Sequence, residues 1–251
     1  MKTGWLFLRS LVFYAGYSLS MIVQSVLASV VGVFSRDMAY RICVTWCGFG
    51  VWWARVSCGI RYEVTGIENI PAGACVVLSK HESAWETLYL QSLLVPATTV
   101  LKRELLSIPF FGWALRLLNP IAINRGEPAQ ALKAVLRQGE ERLAAGRRII
   151  IFPEGTRARP GEQLPYNVGG AMLAARTGFP LLPVSLNSGD CWPRGTMIKR
   201  PGVIQVVIGI PMDSHGTPAK ALNARARDWI EAERATMGRA AATPAPISQN
   251  M

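Results

Sequence analysis

The sequence predicts an α/β fold, a mixed and largely parallel sheet flanked by helices, with an N-terminal two-helix membrane anchor. From about Tyr62 short apolar segments alternate with amphipathic ones, and this alternation is typical of layered α/β domains. The chain before that point is apolar and poor in charge. Over the whole sequence 50% of the residues are hydrophobic and 17% are charged, a composition that favours association with a membrane.

The N-terminal segment carries the anchor prediction. Residues 10–35 contain no charged side chain. As an α-helix this stretch would be about 39 Å long, enough to cross the ~30 Å hydrocarbon core at a tilt or to lie along one leaflet. A second apolar run, 42–54, is too short to cross alone, and its tryptophans suit the headgroup boundary. We therefore expect residues 1–58 to form a pair of membrane-anchoring helices.

The next part, residues 59–239, is expected to form one α/β domain. Between its elements, the segment 104–126 is mostly apolar, which is compatible with core packing and equally with a surface that faces the membrane or an acyl chain. The tail 240–251 is expected to be disordered. The expected strands are 74–79, 98–102, 147–152, 180–186 and 203–209, and the expected helices are about 83–94, 128–145, 168–177 and one after Pro218.

Charge and cysteine content limit the classes of partner. The formal net charge of +11 favours an anionic partner, which could be nucleic acid, acidic lipid headgroups or a phosphorylated substrate. Five cysteines without a C-x-x-C pair indicate reduced, buried thiols in a cytoplasm-facing protein. Neither of the two histidines has a cysteine or a second histidine at ligand spacing, so no metal site is expected.

His81 is the first candidate for chemistry. It directly follows the strand 74–79, so we expect it at the carboxyl edge of the sheet, where a neutral imidazole can act as a general base. Such a base needs an acid to orient its other nitrogen, and Glu86 is the candidate. A second interpretation stays open, because Ser83 and Glu86 also have the spacing of a helix capping box.

A second cluster lies in the sequence FPEGTR, residues 152–157. It follows a strand and brings a glycine, a hydroxyl and the guanidinium of Arg157 into one turn, which outlines an anion site. Lys102 and Arg125 would add positive charge if the sheet brings them to the same edge. The alternative is a surface turn with solvated charges. The sequence contains no G-x-S-x-G elbow, no G-x-x-x-x-G-K-[ST] loop and no G-x-G-x-x-G turn.

Four motifs occur in an order that resembles one family. They are HESAWE (81–86), INR (123–125), FPEGTR (152–157) and LPV (182–184). Over roughly residues 60–210 the chain resembles the glycerophospholipid acyltransferases, in particular the bacterial enzymes that acylate 1-acylglycerol 3-phosphate. The usual histidine motif of that family is H-x-x-x-x-D, whereas this chain has Glu86 at the acidic position. Members of the family also have a two-helix anchor similar to the one expected here.

The resemblance implies an acyl transfer. His81 would deprotonate the sn-2 hydroxyl of 1-acylglycerol 3-phosphate, and Glu86 would orient the imidazole and stabilise its protonated form. The acceptor oxygen would then attack the thioester of acyl-ACP or acyl-CoA, where ACP is acyl carrier protein, and phosphatidic acid would result. No acyl-enzyme and no cofactor beyond this co-substrate are implied.

The resemblance also implies how the acceptor is bound. Arg157, with Gly155 and Thr156, would hold the acceptor phosphate, and Glu154 would support their loop. Lys102 and Arg125 would assist in binding the phosphate.

The resemblance finally implies partners and a location. The expected partners are the phospholipid bilayer, lysophosphatidic acid and the acyl thioester, with no nucleic acid. The thioesters are cytoplasmic, so we expect the cell inner membrane with the catalytic domain on its cytoplasmic face. Two alternatives remain: an acyltransferase for glycerol 3-phosphate or a different lysophospholipid, and a non-catalytic membrane protein that binds anionic lipid.

Overall fold

A computed structural model describes residues 3–238. The predicted tail, 240–251, lies outside the described residues. Short 3₁₀ helices cover Ile67–Asn69 and Arg103–Ser107. The α-helices are α1 (Thr3–Phe34), α2 (Arg36–Cys58), α3 (Trp85–Leu93), α4 (Phe111–Leu117), α5 (Pro128–Ala144), α6 (Gly169–Thr177), α7 (Ser188–Cys191) and α8 (Ala219–Thr236). The strands are β1 (Ile60–Thr65), β2 (Val76–Ser79), β3 (Ala97–Lys102), β4 (Ile121–Ile123), β5 (Arg148–Ile151), β6 (Leu181–Leu186) and β7 (Gly202–Ile208).

The seven strands form one sheet in the order β1-β7-β6-β2-β5-β3-β4. Strands β6 and β7 pair antiparallel and every other neighbouring pair is parallel. The predicted mixed, largely parallel sheet with flanking helices is therefore confirmed. Its central strands are apolar on both sides because helices cover both faces. The consequence for function is that β2, β5, β3 and β4, which are neighbours and parallel, end at the same edge.

Two strands were not expected from the sequence. In β1, the side chains of Arg61, Tyr62 and Glu63 are exposed, so this edge strand lacks the apolar run that marks the central strands. Strand β4 has three residues and lies inside the apolar segment 104–126. A short edge strand buries too little surface to produce a readable pattern.

Helix α1 differs from the rest of the chain in its exposed apolar surface. Within residues 3–238 it is the helix that is long and apolar enough to cross a membrane, and 17% of its most apolar window is buried. Large side chains such as Leu19, Val33 and Phe34 are 65%, 80% and 87% exposed. Exposed apolar surface of this extent indicates association with a membrane.

Helix α2 follows α1 after a capped break. The hydroxyl of Ser35 accepts the N–H of Met38 at 3.2 Å and thereby begins α2. One face of α2, including Trp46 and Val51, packs in the same core cluster as Val77 of the sheet. The second predicted helix therefore also forms part of the layer that covers the sheet. The division of the chain at residue 58 stays a prediction.

The apolar segment 104–126 contributes to two surfaces. Leu118 packs with Ala28 and Tyr40 in a small cluster that joins α4 to the N-terminal helices. Trp113 and Ile108 are 44% and 43% exposed. The segment therefore combines core packing with an exposed apolar surface, and both interpretations of the sequence apply to parts of it.

Candidate active site

The residues predicted from the sequence meet at one edge of the sheet. His81 follows β2, the loop 154–157 follows β5, Lys102 ends β3 and Arg125 follows β4. Since these four strands are adjacent and parallel, the residues lie side by side in the same order. All of them border a cavity of about 900 Å³, whose remaining walls are mostly apolar and come from α1, α2, α4 and α5.

The structure brings His81 and Glu86 together. Nδ1 of His81 lies 2.8 Å from Oε1 of Glu86. Glu86 is fully buried, and His81 is 9% exposed and borders the cavity. In the described part of the chain, Nε2 of His81 has no hydrogen-bond partner. The carboxylate therefore fixes a proton on Nδ1 and leaves the lone pair of Nε2 available.

Glu86 collects five hydrogen bonds. Its Oε1 also accepts the backbone N–H groups of Glu82 and Ser83, at 2.8 and 2.7 Å, while its Oε2 accepts the hydroxyls of Ser83 and Ser188, both at 2.6 Å. Burial alone would raise the pKa of Glu86, but the hydrogen bonds from His81, Ser188 and Ser83, together with the positive charge of His81 when its ring is protonated, hold that pKa below its usual value. Glu86 thus binds the backbone of the two residues after His81 as well as the imidazole itself, while α3 begins at Trp85 without a side-chain cap bond.

The imidazole is held on its other sides as well. Its ring stacks on Phe152, with centroids 4.2 Å apart and planes 24° from parallel. The backbone N–H of His81 donates to Oε2 of Glu154 at 2.7 Å, and its carbonyl accepts the N–H of Ala158 at 2.7 Å. The histidine loop and the segment 152–158 are therefore joined at three points.

The carboxylate of Glu154 supports its loop. Glu154 is 7% exposed, and its second oxygen lies 2.7 Å from Nζ of the fully buried Lys80. Burial raises the pKa of Glu154 to about 7, against the lowering effect of Lys80. Since both oxygens contact protein groups, its geometry matches the supporting role that the family resemblance implies. Any direct role in substrate binding stays a prediction.

Arg157 and Arg125 at this edge are exposed and Lys102 is half-buried, in contrast to the buried histidine. Gly155 has φ +68°, which turns the chain where a residue with a Cβ would be strained. Arg157 and Thr156, which follow it, are exposed. Lys102 lies 3.1 Å from Glu104, and Arg125 is exposed. Among residues 3–238 no carboxylate is within ion-pair distance of Arg157 or Arg125, so both can accept an anion.

Three residues near the site were not expected from the sequence. Ser188 donates to Glu86 from the segment after β6, and Lys80 lies behind Glu154. Arg194 borders the cavity and donates to the carbonyl of Arg157 at 2.6 Å. A polar residue after an apolar strand could have indicated Ser188, because β6 lies beside β2. The same signal applies to Lys80, which directly follows β2, whereas no comparable signal marks Arg194.

The described residues do not include a group of three or more His, Cys, Asp or Glu placed to hold a metal ion. The five cysteines are buried and unpaired, as expected for reduced thiols. The cavity thus presents an imidazole with a free nitrogen at one end, exposed cations along the sheet edge and apolar walls. This arrangement can remove a proton from a hydroxyl and bind an anion beside it.

Comparisons with known proteins agree with this geometry. A family model described as Acyltransferase matches residues 61–187. The chain is 46% identical over 228 residues to a 1-acyl-sn-glycerol-3-phosphate acyltransferase of Pseudomonas aeruginosa, covering 89% of each protein. It is 31% identical over 184 residues to a chloroplastic 1-acyl-sn-glycerol-3-phosphate acyltransferase of Brassica napus, covering 71% of this chain and 53% of that protein.

The fold has a counterpart among solved structures. The crystal structure of the 1-acyl-sn-glycerophosphate (LPA) acyltransferase PlsC from Thermotoga maritima aligns with a TM-score of 0.77 and 25% identity. The alignment covers 91% of this chain and 94% of that one. The resemblance seen in the four motifs is thereby confirmed, and the chain belongs to the acyltransferase family.

Proposed function

We propose that the protein transfers a fatty acyl group from acyl-ACP or acyl-CoA to the sn-2 hydroxyl of 1-acylglycerol 3-phosphate and forms phosphatidic acid. The observation that carries the proposal is the contact between Nδ1 of His81 and Glu86 beside a cavity that Arg157 also borders. The proposed acceptor, 1-acylglycerol 3-phosphate, is the compound that the names of the Pseudomonas and Thermotoga relatives contain.

The proton transfer follows from the geometry of His81. Nε2 takes the proton of the sn-2 hydroxyl, and the imidazole becomes positively charged. The ionised carboxylate of Glu86, 2.8 Å from Nδ1, stabilises that charge. The stack on Phe152 restricts rotation of the ring, so the base keeps its direction.

The acyl transfer itself needs no enzyme-bound intermediate. The acceptor oxygen forms the new ester bond at the thioester carbonyl as the carbon–sulfur bond breaks. The thiolate that leaves then takes the proton from Nε2 of His81, which restores the neutral imidazole. Apart from the thioester co-substrate, the proposal includes no cofactor.

The acceptor phosphate is proposed to bind at the cationic edge. Arg157 can form two parallel hydrogen bonds to phosphate oxygens. Gly155 and Thr156 supply close backbone approach and a hydroxyl in the same turn, and Lys102 and Arg125 add charge from the neighbouring strands. Phosphate held there would present the glycerol hydroxyl to His81, because both groups border the same cavity.

The location follows from the substrates. The apolar surface of α1 supports attachment to the bilayer from which a lysolipid would enter. Because acyl-ACP and acyl-CoA are cytoplasmic, we place the α/β body on the cytoplasmic face of the inner membrane. The net charge of +11 favours docking of the acidic carrier protein. No nucleic acid is part of the proposal.

Thiol release from an acyl thioester, with lysophosphatidic acid as acceptor, tests the function. The wild-type protein should release thiol only when the acceptor is present. We expect His81→Ala to lower kcat by about 10²–10⁴-fold, the usual contribution of a general base. His215→Ala, which removes the exposed second histidine, should have no effect. Unchanged release by His81→Ala would disprove the general-base mechanism.

A panel of acceptors separates the alternatives. Glycerol 3-phosphate and lysophosphatidylethanolamine, compared with lysophosphatidic acid at equal concentration, should give lower kcat/KM. A preference for either would change the acceptor assigned here. Absence of release with every acceptor would favour a non-catalytic protein that binds anionic lipid. Acyl-ACP and acyl-CoA, offered separately, identify the donor.

A further inference from the structure

Two buried charges flank the histidine. Lys80 and Glu82 have no exposed surface, although they stand on either side of His81 at the end of β2. Both contact charged residues of α8, the last helix described, which lies outside the residues 61–187 matched by the family model. A lysine and a glutamate are rarely buried completely without a specific reason.

Lys80 connects α8 to the backbone of His81. Its Nζ lies 2.7 Å from Oε1 of Glu154 and 2.8 Å from Oε1 of Glu231, and it donates to the carbonyl of Glu162 at 3.0 Å. The other oxygen of Glu154 accepts the N–H of His81 at 2.7 Å. Glu231, on α8, is therefore linked to the histidine backbone by three successive contacts, through Lys80 and Glu154.

Arg234 makes the second connection, one turn further along α8. Its Nε lies 2.6 Å from Oε1 of Glu82, and its Nη2 lies 3.2 Å from Oδ1 of Asp190. The second oxygen of Glu82 accepts the N–H of Gly189 at 3.1 Å. The guanidinium of Arg234 thus fixes the position of Glu82, the residue after His81, relative to the segment after β6.

That segment also carries the partner of Glu86. Ser188, beside Gly189, donates its hydroxyl to Oε2 of Glu86 at 2.6 Å, and Oε1 of Glu86 holds Nδ1 of His81. Displacement of the segment would remove one hydrogen bond that holds the carboxylate of Glu86, and the other oxygen of that carboxylate contacts Nδ1 of His81. Arg234 therefore acts on the imidazole through side-chain contacts, and Glu231 acts on its backbone.

The sequence of α8 shows where a charge replaces an apolar residue. Leu222, Ala226 and Ile230 are fully buried and spaced by four, so they form one stripe that packs against the sheet layer. Arg234 is the next residue at that spacing. Buried ion pairs generally stabilise a fold no more than apolar residues of similar volume. Stability alone therefore does not explain a charged end to this apolar stripe.

We propose that Glu231 and Arg234 are positioning residues of the acyltransferase, and that α8 holds the histidine loop in its reactive geometry through Lys80 and Glu82. The inference rests on the proposed function for its kinetic consequence, but the geometry of His81 can be measured without any substrate. Neither residue touches the cavity; both act through the two residues that flank His81.

The kinetic experiment uses the full-length protein in detergent. Glu231→Gln and Arg234→Met retain the approximate shape of each side chain and remove its charge. We expect kcat to fall about tenfold or more, because small misplacements of a reacting group are costly, with both KM values within about twofold. Arg234→Lys, which keeps the charge, should recover part of the lost kcat.

Two matched variants control for stability. Leu222→Ala creates a void in the apolar stripe of α8 and leaves the charged contacts intact. It should lower Tm at least as much as Glu231→Gln and Arg234→Met do, while its kcat stays within about twofold of the wild-type value. Glu233→Gln changes a carboxylate of the same helix that has no ion pair among the described residues, and it should behave as wild type.

The second readout is the nitrogen NMR spectrum of the imidazoles. The chain has two histidines, so His215→Gln assigns the signals. The wild type should show one tautomer of His81, with the proton on Nδ1. Glu231→Gln and Arg234→Met should show mixed tautomers or broadened signals, and Leu222→Ala should not.

The outcomes separate this inference from the proposed function. The inference is overturned if kcat falls in proportion to Tm whichever α8 residue is changed. It is also overturned if Glu231→Gln and Arg234→Met leave both kcat and the His81 signals unchanged. If the wild type fails to acylate lysophosphatidic acid but the His81 signals still respond to the two charge variants, the proposed function is wrong and the positioning role stands.

Discussion

The two halves of the candidate site are built in opposite ways. Around His81 every neighbouring charge is buried and paired, and Glu86 alone accepts five hydrogen bonds. Along the cationic edge Arg157 and Arg125 are exposed, and no carboxylate pairs with them in the described chain. The first half is complete before any substrate arrives. In the second half the guanidinium groups of Arg157 and Arg125 have no carboxylate partner among the described residues, and an anion would complete it.

This difference follows from what each half is proposed to do. A general base has to keep one tautomer and one direction, which requires fixed, water-excluded hydrogen bonds. A phosphate brings its own charge and several acceptors, so its site can remain hydrated until the ligand binds. Substitutions in the first half should therefore change kcat, and substitutions in the second half should change the acceptor KM.

The largest effect is expected from Glu86→Gln. The amide NH₂ cannot accept the hydrogen bonds that the carboxylate accepts, and the imidazolium loses its counter-charge. We expect kcat for thiol release to fall about 10²–10⁴-fold with a small change in KM. Glu86→Asp retains the charge on a shorter side chain and should lose less. A glutamine variant within about threefold of wild type would contradict the division between the halves.

The next effect concerns Arg157→Ala. Loss of charge-assisted hydrogen bonds to phosphate should raise the acceptor KM by about 10–100-fold and change kcat less. Lys102→Ala should have a smaller effect, because Lys102 already lies 3.1 Å from Glu104. A 1-acylglycerol acceptor without phosphate serves as the control, since the variant and the wild type should use it equally poorly. Equal loss with both acceptors would mean that Arg157 does not bind the phosphate.

The ionised state of Glu86 should also appear in the stability of the protein. Its pKa is lower in the folded protein than the reference value of 4.5, so its contribution to the free energy of unfolding is fully present above about that pH and is lost as the pH falls through the folded value. Denaturant unfolding at several pH values should show wild type and Glu86→Gln converging below about pH 4.5. A pH-independent difference would mean that Glu86 is not ionised.

The smallest effect is expected from Gly155→Ala. A Cβ at φ +68° is strained and would lie 3.3 Å from Nδ2 of Asn167, which should cost about 1 kcal/mol and raise the acceptor KM a few-fold. Gly161→Ala is the matched control, because Gly161 has φ +79° with no atom within 4 Å of a Cβ. Similar KM values for the two variants would show that the turn at Gly155 does not shape the phosphate site.

The sequence predicted the elements that depend on local pattern. The central strands have continuous apolar runs, and the motif residues follow strand ends, so their meeting at one edge could be expected. The spacing of His81 and Glu86 in the sequence also allowed their contact to be predicted. The edge strand β1 was missed because Arg61, Tyr62 and Glu63 face solvent and leave no apolar run.

The contacts behind the site could not be read from the sequence. Lys80 and Glu231 are 151 positions apart, and Glu86 and Ser188 are 102 positions apart. Such pairs depend on how the helices pack over the sheet, and an isolated lysine or serine gives no periodic signal. Glu86 was open to two interpretations. Its Oε1 contacts His81 and also accepts the N–H of Ser83, as in a capping box, but α3 begins at Trp85, with Ala84 at the N-cap position and no side-chain cap bond. The orienting role in catalysis stays a prediction.

The walls of the cavity connect catalysis to the lipid environment. Tyr17, Met21 and Gln24 of α1 border the same cavity as His81, although the opposite side of that helix presents exposed apolar side chains. A shortened version without α1 would lose part of the wall that surrounds the reacting groups. Changes in bilayer thickness or lipid packing that tilt α1 would reshape the same wall, so turnover should respond to the host membrane even when both substrates are saturating.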